Sequence, residues 1–135
     1  MKYVLMTVAL MFGLVCPVVA EEKEKDTLTA VEQAMFDHVN AERVKHGLPA
    51  LELDKDVQQG TRNHAFWMAR YRSMSHASGF IENIAMGQPN TRTVIRTWMN
   101  SSGHRANILR SGVTRLGVSA YEAVNGVIYW CMRVR

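Results

Sequence analysis

Three residues in loop-like stretches of this sequence could do chemistry together: His76, Glu82 and His104. Two neutral imidazoles and a carboxylate are good ligands for zinc or another divalent ion, and three of them leave a fourth position for water. A carboxylate beside a metal-bound water can also serve as general base in hydrolysis. His76 follows Ser75, Glu82 opens the run Glu82-Asn83-Ile84-Ala85, and His104 follows Gly103 at the start of a short helical pattern. No two histidines stand four residues apart, so such a site exists only where the fold gathers separate loops. The competing reading is structural: His104 packs near a helix start, and Glu82 accepts N–H bonds within its own loop. Spacing alone favours that second reading.

The remaining candidates are weaker. Cys131 lies between Trp130 and Met132 in an apolar strand, where a thiol is usually inert. Ser75-His76 and Ser102-Gly103-His104 bring hydroxyls near imidazoles, but no strained elbow or orienting acid accompanies them. His64 falls on the apolar face of a helix and reads as a packed residue. His38 and His46 belong to the surface or a half-buried position. Trp67, Trp98, Trp130 and the nine methionines read as core filling.

The elements that must position these residues follow from caps and periodicity. Thr29 and Glu32 form a capping box, and Val31, Met35, Val39 and Val44 mark a helical stripe ended by Gly47 and Pro49. Leu51 and Leu53 alternate in the connection. Asp54 caps a second helix carrying Val57, Thr61, His64, Met68 and Tyr71, with Gly60 allowing close packing. Residues 73–88 read as a structured loop with one short strand. Pro89-Asn90 precedes a third helix with Val94, Ile95, Trp98 and Met99, and Ser101 or Ser102 caps a short fourth. Two strand-like runs, 116–121 and 127–134, flank Asn125-Gly126, a hairpin signal. Helices first and a hairpin last predict an α+β fold.

Compartment is written in the first residues. Lys2, an apolar run from Val4 to Val15 broken only by Thr7, Pro17 and a small residue at Ala20 form a secretory signal pattern. The run is shorter than the ~20 residues of a membrane span. The expected division is a signal peptide over 1–20, a charged spacer over 21–28 and one domain over 29–135. Cleavage removes one base from a net charge of +4, and the remaining bases are scattered, which argues against nucleic acid. Cys131 is then the only cysteine of the exported chain, so it either packs in the core or joins two chains. The core reading, and with it a monomer without a membrane span, is expected.

Together the stretches HVNAERVKHGLPALELD, SMSH, IENIAMGQ, WMNSSGHRANIL and LGVSAY followed by YW resemble the CAP superfamily of SCP-like extracellular proteins, in its small bacterial branch. The likeness runs from about Val31 to the C-terminus. It implies an α-β-α sandwich, a small antiparallel sheet between helical layers, with a central cavity opening to a groove. Members that keep the full set line that cavity with two His and two Glu. By resemblance His76 and His104 are those histidines and Glu82 the first Glu, while Ser101 stands where the second Glu would be. Cys131-Met132 also replaces the polar pair usual after Tyr-Trp, so the cavity is expected to be less acidic. The resemblance implies an extracytoplasmic protein, secreted or periplasmic. It admits a non-enzymatic module holding a divalent metal, Zn2+ first, and an envelope, lipid or protein ligand. It also admits a metal-dependent, peptidase-like hydrolase using the same cavity.

Overall fold

The computed structural model describes residues 27–135. The expected signal peptide and most of the charged spacer lie outside them. Helix α1, Ala30–Lys45, starts on the capping box: Glu32 N–H donates to Thr29 Oγ1 at 3.2 Å, and Thr29 N–H donates to Glu32 Oε2 at 2.9 Å. Gly47, at φ 74°, turns the chain out of the helix in the left-handed conformation that an absent Cβ makes cheap. A two-residue strand β1, Glu52–Leu53, leads to helix α2, Lys55–Tyr71, capped by Asp54 onto Asp56 and Val57 N–H. Strand β2, Ile81–Met86, helix α3, Thr91–Met99, and helix α4, Ser102–Ile108, follow. Asn90 caps α3 through Thr93 N–H, whereas Ser101 stands at the start of α4 without a side-chain cap bond. Strands β3, Arg115–Glu122, and β4, Ile128–Val134, close the chain as a hairpin, with Gly126 at φ 79° in its turn.

The sheet order is β1-β3-β4-β2, with β1 parallel to β3 and the other pairs antiparallel. Helix α2 packs on one face and α1, α3 and α4 on the other, which makes an α-β-α sandwich. Side chains alternate across β4 with the period of two that strands impose. Tyr129 and Cys131 join the α2 layer, while Trp130, Met132 and Val134 join the cluster with Met35, Val39, Val94, Trp98 and Ile108.

Two helical stripes are rotated from the expected ones. On α1 the buried positions are Glu32, Met35, Val39 and Arg43, whereas Val31 and Val44 are exposed. Arg43 takes the place expected of Val44 because its guanidinium finds carbonyls inside: Pro49 O at 3.0 Å, Ile108 O at 2.8 Å and Arg110 O at 2.9 Å. It thereby satisfies the carbonyl of Ile108, the last residue of α4, which the helix itself leaves open. On α2 the buried row is Gln58, Thr61, Ala65, Met68 and Ala69, so Tyr71 and Trp67 face solvent. Trp67 is therefore not core, and neither are Met74 and Met86; Trp98 and Trp130 are.

Candidate functional site

Register brings the acid of the candidate site against a base. In the β2–β4 pairing Glu82 lies opposite Arg133, and both side chains point into the α2 layer with Cys131. Arg133 Nε–H donates to Glu82 Oε2 at 2.7 Å, and both side chains are at least 95% buried, Glu82 at 1% and Arg133 at 5% exposure. The other carboxylate oxygen, Oε1, takes His76 Nδ1 at 3.0 Å and accepts from Ala77 N–H at 3.2 Å. Cys131 Sγ stands 3.7 Å from Oε2. Both oxygens are thus occupied from within the protein.

The guanidinium is held from two more sides. The Phe80 ring centroid lies 4.0 Å from its central carbon, a cation–π contact. Gly60 on α2 leaves the room it needs, since a Cβ there would stand 3.3 Å from Nη1. His64 also joins this group: its Nε2 is 2.8 Å from Ser75 O and 3.7 Å from Glu82 Oε1. Burial by itself raises the Glu82 carboxyl, but the Arg133, His76 and Ala77 hydrogen bonds outweigh it and hold the pKa below the ordinary value of 4.5.

His104 is fixed by the opposite side of β2. Asn83 Nδ2–H donates to His104 O at 2.9 Å, and Asn107 Nδ2–H donates to Asn83 Oδ1 at 2.9 Å and to Glu82 O at 3.1 Å. The two asparagines therefore stitch α4 to the strand that carries Glu82. The His104 ring stands 6.4 Å from Trp98, and its Nδ1 is buried without a hydrogen-bond partner among the described residues. Burial, then the nearby charge of His76, push its pKa below 6.5 and favour its neutral form. His76 and Glu82 are brought into direct contact; His104 hydrogen-bonds to neither. Among the described residues no three His, Cys, Asp or Glu side chains are gathered into a metal-coordinating cluster. As donors the two imidazoles suit zinc, but Glu82 does not complete the set while Arg133 occupies it.

The residues that sequence reasoning missed are Arg133, Asn83 and Asn107. A base in a terminal apolar strand, at the alternate position to Met132, was the available signal for Arg133. Among the described residues, grooves of about 380, 430, 470 and 390 Å³ open on the surface, and none of these is lined by His76, Glu82 or His104.

Residues 36–133, well over half of the chain, match the family model for CAP, the cysteine-rich secretory protein family. The chain belongs to the CAP family. Two Bacillus subtilis proteins agree: YkwD is 32% identical over 131 residues, covering 79% of this chain and 51% of its own length. The membrane protein YlbC is 32% identical over 133 residues, covering 83% of this chain and 38% of its own. This CAP chain thus spans about half the length of one curated relative and less of the other. Among solved structures, an extracellular SCP-domain protein of Bacillus anthracis superposes with a TM-score of 0.68 at 28% identity, covering 81% of this chain and 44% of that one. The fold recurs in NaASP2, solved with Zn2+, at a TM-score of 0.55 and 14% identity, covering 81% of this chain and 80% of that one. CAP domains are typically secreted or extracytoplasmic. No helix among the described residues is long and apolar enough to cross a membrane.

Proposed function

We propose that this CAP domain is an extracytoplasmic, non-enzymatic binding module. One observation carries that reading: the 2.7 Å bond from Arg133 to Glu82. A general base must offer a free lone pair and a pKa near the working pH. Glu82 offers neither, because Arg133, His76 and Ala77 hold both oxygens and lower its pKa. Ser101, three residues before His104, supplies no second carboxylate. The hydrolase alternative therefore lacks Glu82 as its base and would need another acid.

A divalent ion, zinc first, would be held by His76 and His104, and it would supply an electrophilic centre able to take a ligand's carbonyl or carboxylate. The unpartnered buried Nδ1 of His104 and its preference for the neutral form support this part of the reading. Ser101→Glu should tighten such binding by adding an oxygen donor. The ligand of the module is then an envelope component, a lipid or another protein, bound without turnover.

The test is a calorimetric titration of the purified protein with zinc, beside a His76→Ala/His104→Ala variant checked for folding. About one equivalent bound, lost in the variant, with no hydrolysis of a peptide library by either protein, is the expected outcome. Peptide turnover that disappears with chelator and with Glu82→Gln would overturn the non-enzymatic reading. Absence of zinc binding would remove the metal and leave His76 as a partner of Glu82 alone.

A further inference from the structure

A second groove, of about 430 Å³, runs between α1 and α3, and Arg105 of α4 also lines it. Ile95 and Met99 form part of its floor, and its rim is basic: Lys45 from α1, Arg92 and Arg96 from α3, and Arg105 from α4. Arg92 and Arg96 stand one turn apart on one face of α3, and among the described residues neither side chain makes an ion pair or hydrogen bond. Glu42 is the one carboxylate in the lining, and Lys45 at 3.9 Å and His46 at 3.8 Å already attend it.

The cationic rim is also partly preset. His46 Nδ1–H is directed to Glu42 O at 2.7 Å, which leaves Nε2 as the acceptor for Arg105 Nη2 at 3.2 Å. That pairing turns the Arg105 guanidinium without neutralising it. His38, which lines the same groove, has its Nδ1 buried with no hydrogen-bond partner among the described residues. With Lys45 set against Glu42, three guanidinium groups lining the cleft remain without a carboxylate and leave an unmet demand for negative charge. Guanidinium forks meet tetrahedral oxyanions in paired hydrogen bonds, and several converging forks suit an anion with more than one charge.

We propose that the α1–α3 groove binds a phosphate-bearing anion, with Arg92 and Arg96 as its principal contacts and Arg105 and Lys45 closing around it. The site is separate from His76, Glu82 and His104 and stands or falls without them. The same phosphate chemistry is offered by a free pyrophosphate-like group and by a phospholipid headgroup, and the apolar floor beside the arginines admits the second.

The experiment titrates the full-length protein with inorganic pyrophosphate at low ionic strength, and separately with phosphatidylglycerol and phosphatidylcholine vesicles. Arg92→Gln/Arg96→Gln is compared with Arg70→Gln/Arg110→Gln, which removes the same charge elsewhere on the surface; all four side chains are solvent-facing. Loss of two charge-assisted contacts should weaken binding by about tenfold or more in the first variant, with near-native affinity in the second. Pyrophosphate binding with that pattern identifies a free anion as a source. Binding to phosphatidylglycerol but not phosphatidylcholine, with the same pattern, identifies a headgroup. Binding to neither probe, or equal weakening in both variants, overturns the proposal.

Discussion

Arg133 and Glu82 show how one pair can decide what a constellation does. Burying two charges is costly, and the bond between them offsets that cost only while both are present. Arg133→Met should therefore leave Glu82 buried without its cation and lower unfolding free energy by about 3–5 kcal/mol, measured by urea denaturation. Adding Glu82→Gln to that variant should recover part of the loss, because the uncompensated charge is gone; a double variant no more stable than Arg133→Met would count against the pair as the cause. Acid gives a second test. Glu82 and Glu32 both have pKa values below the ordinary 4.5, each because hydrogen bonds outweigh the opposing effect of burial: Arg133, His76 and Ala77 for Glu82, Arg62 and Thr29 for Glu32. The unfolded chain binds protons at these positions before the folded chain does, so the stability they contribute is present above 4.5 and is lost as pH falls towards the lower folded values. Glu32→Gln should flatten the fall of stability below pH 4.5 in an acid titration followed by circular dichroism. An unchanged profile would mean that the Arg62–Glu32 contact, at 2.6 Å, contributes nothing measurable.

Between elements, the decisive contacts are backbone ones. Strand β1 is only two residues long, so the edge of β3 beyond Leu116 lacks a strand partner. Gln58 on α2 replaces it: Val118 N–H donates to Gln58 Oε1 at 2.8 Å, and Gln58 Nε2–H donates to Val118 O at 2.6 Å. A buried amide thus completes the sheet and protects an edge that would otherwise invite pairing. Gln58→Ala should cost about 2–4 kcal/mol, since two buried backbone groups lose their partners at roughly 1–3 kcal/mol each and the vacated space readmits some water; thermal unfolding would measure it. Next to it, Gly117 leaves room for α2 to approach, since a Cβ there would lie 2.7 Å from Val57 C and 2.8 Å from Gln58 N. Gly117→Ala must push helix and strand apart and should destabilise by about 1–3 kcal/mol or more. A variant as stable as the wild type would mean that α2 can slide without loss. These contacts also mark the limit of sequence reading. The caps at Thr29, Asp54 and Asn90, the Gly47 stop and the Asn125-Gly126 turn were legible because each is a local device with its own residue signature. Within the candidate site His76 and Glu82 were legible through motif resemblance, and they do meet. Gln58, Asn83, Arg43 and Arg133 were not legible, because a polar residue whose partner is 21 to 65 positions away looks like any surface residue until register is known.

At the scale of the whole molecule, the layering makes Cys131 a reporter of global opening. The thiol has no exposed surface; it lies in β4, with β3 on one side, β2 on the other and α2 across its face. Burial first, then the charge of Glu82, raise its pKa well above the ordinary thiol range, so almost none of it is thiolate at neutral pH. Both conditions for reaction, access and ionisation, are therefore met only after the sandwich opens. Fraying of an edge does not suffice, because β4 is paired on both sides along its length. Alkylation at pH 8, read at the Cys131 peptide by mass spectrometry, should be slow in native buffer. Its rate should rise with urea along the same slope that governs equilibrium unfolding, as expected of a site exposed by global rather than local opening. The same burial predicts that no Cys131-linked dimer is seen in nonreducing electrophoresis of the native protein. Rapid labelling without denaturant, or a rate indifferent to urea, would show that α2 lifts from the sheet on its own. The Glu82–Arg133 pair beneath it would then be open to solvent and to ligands far more often than the packing implies.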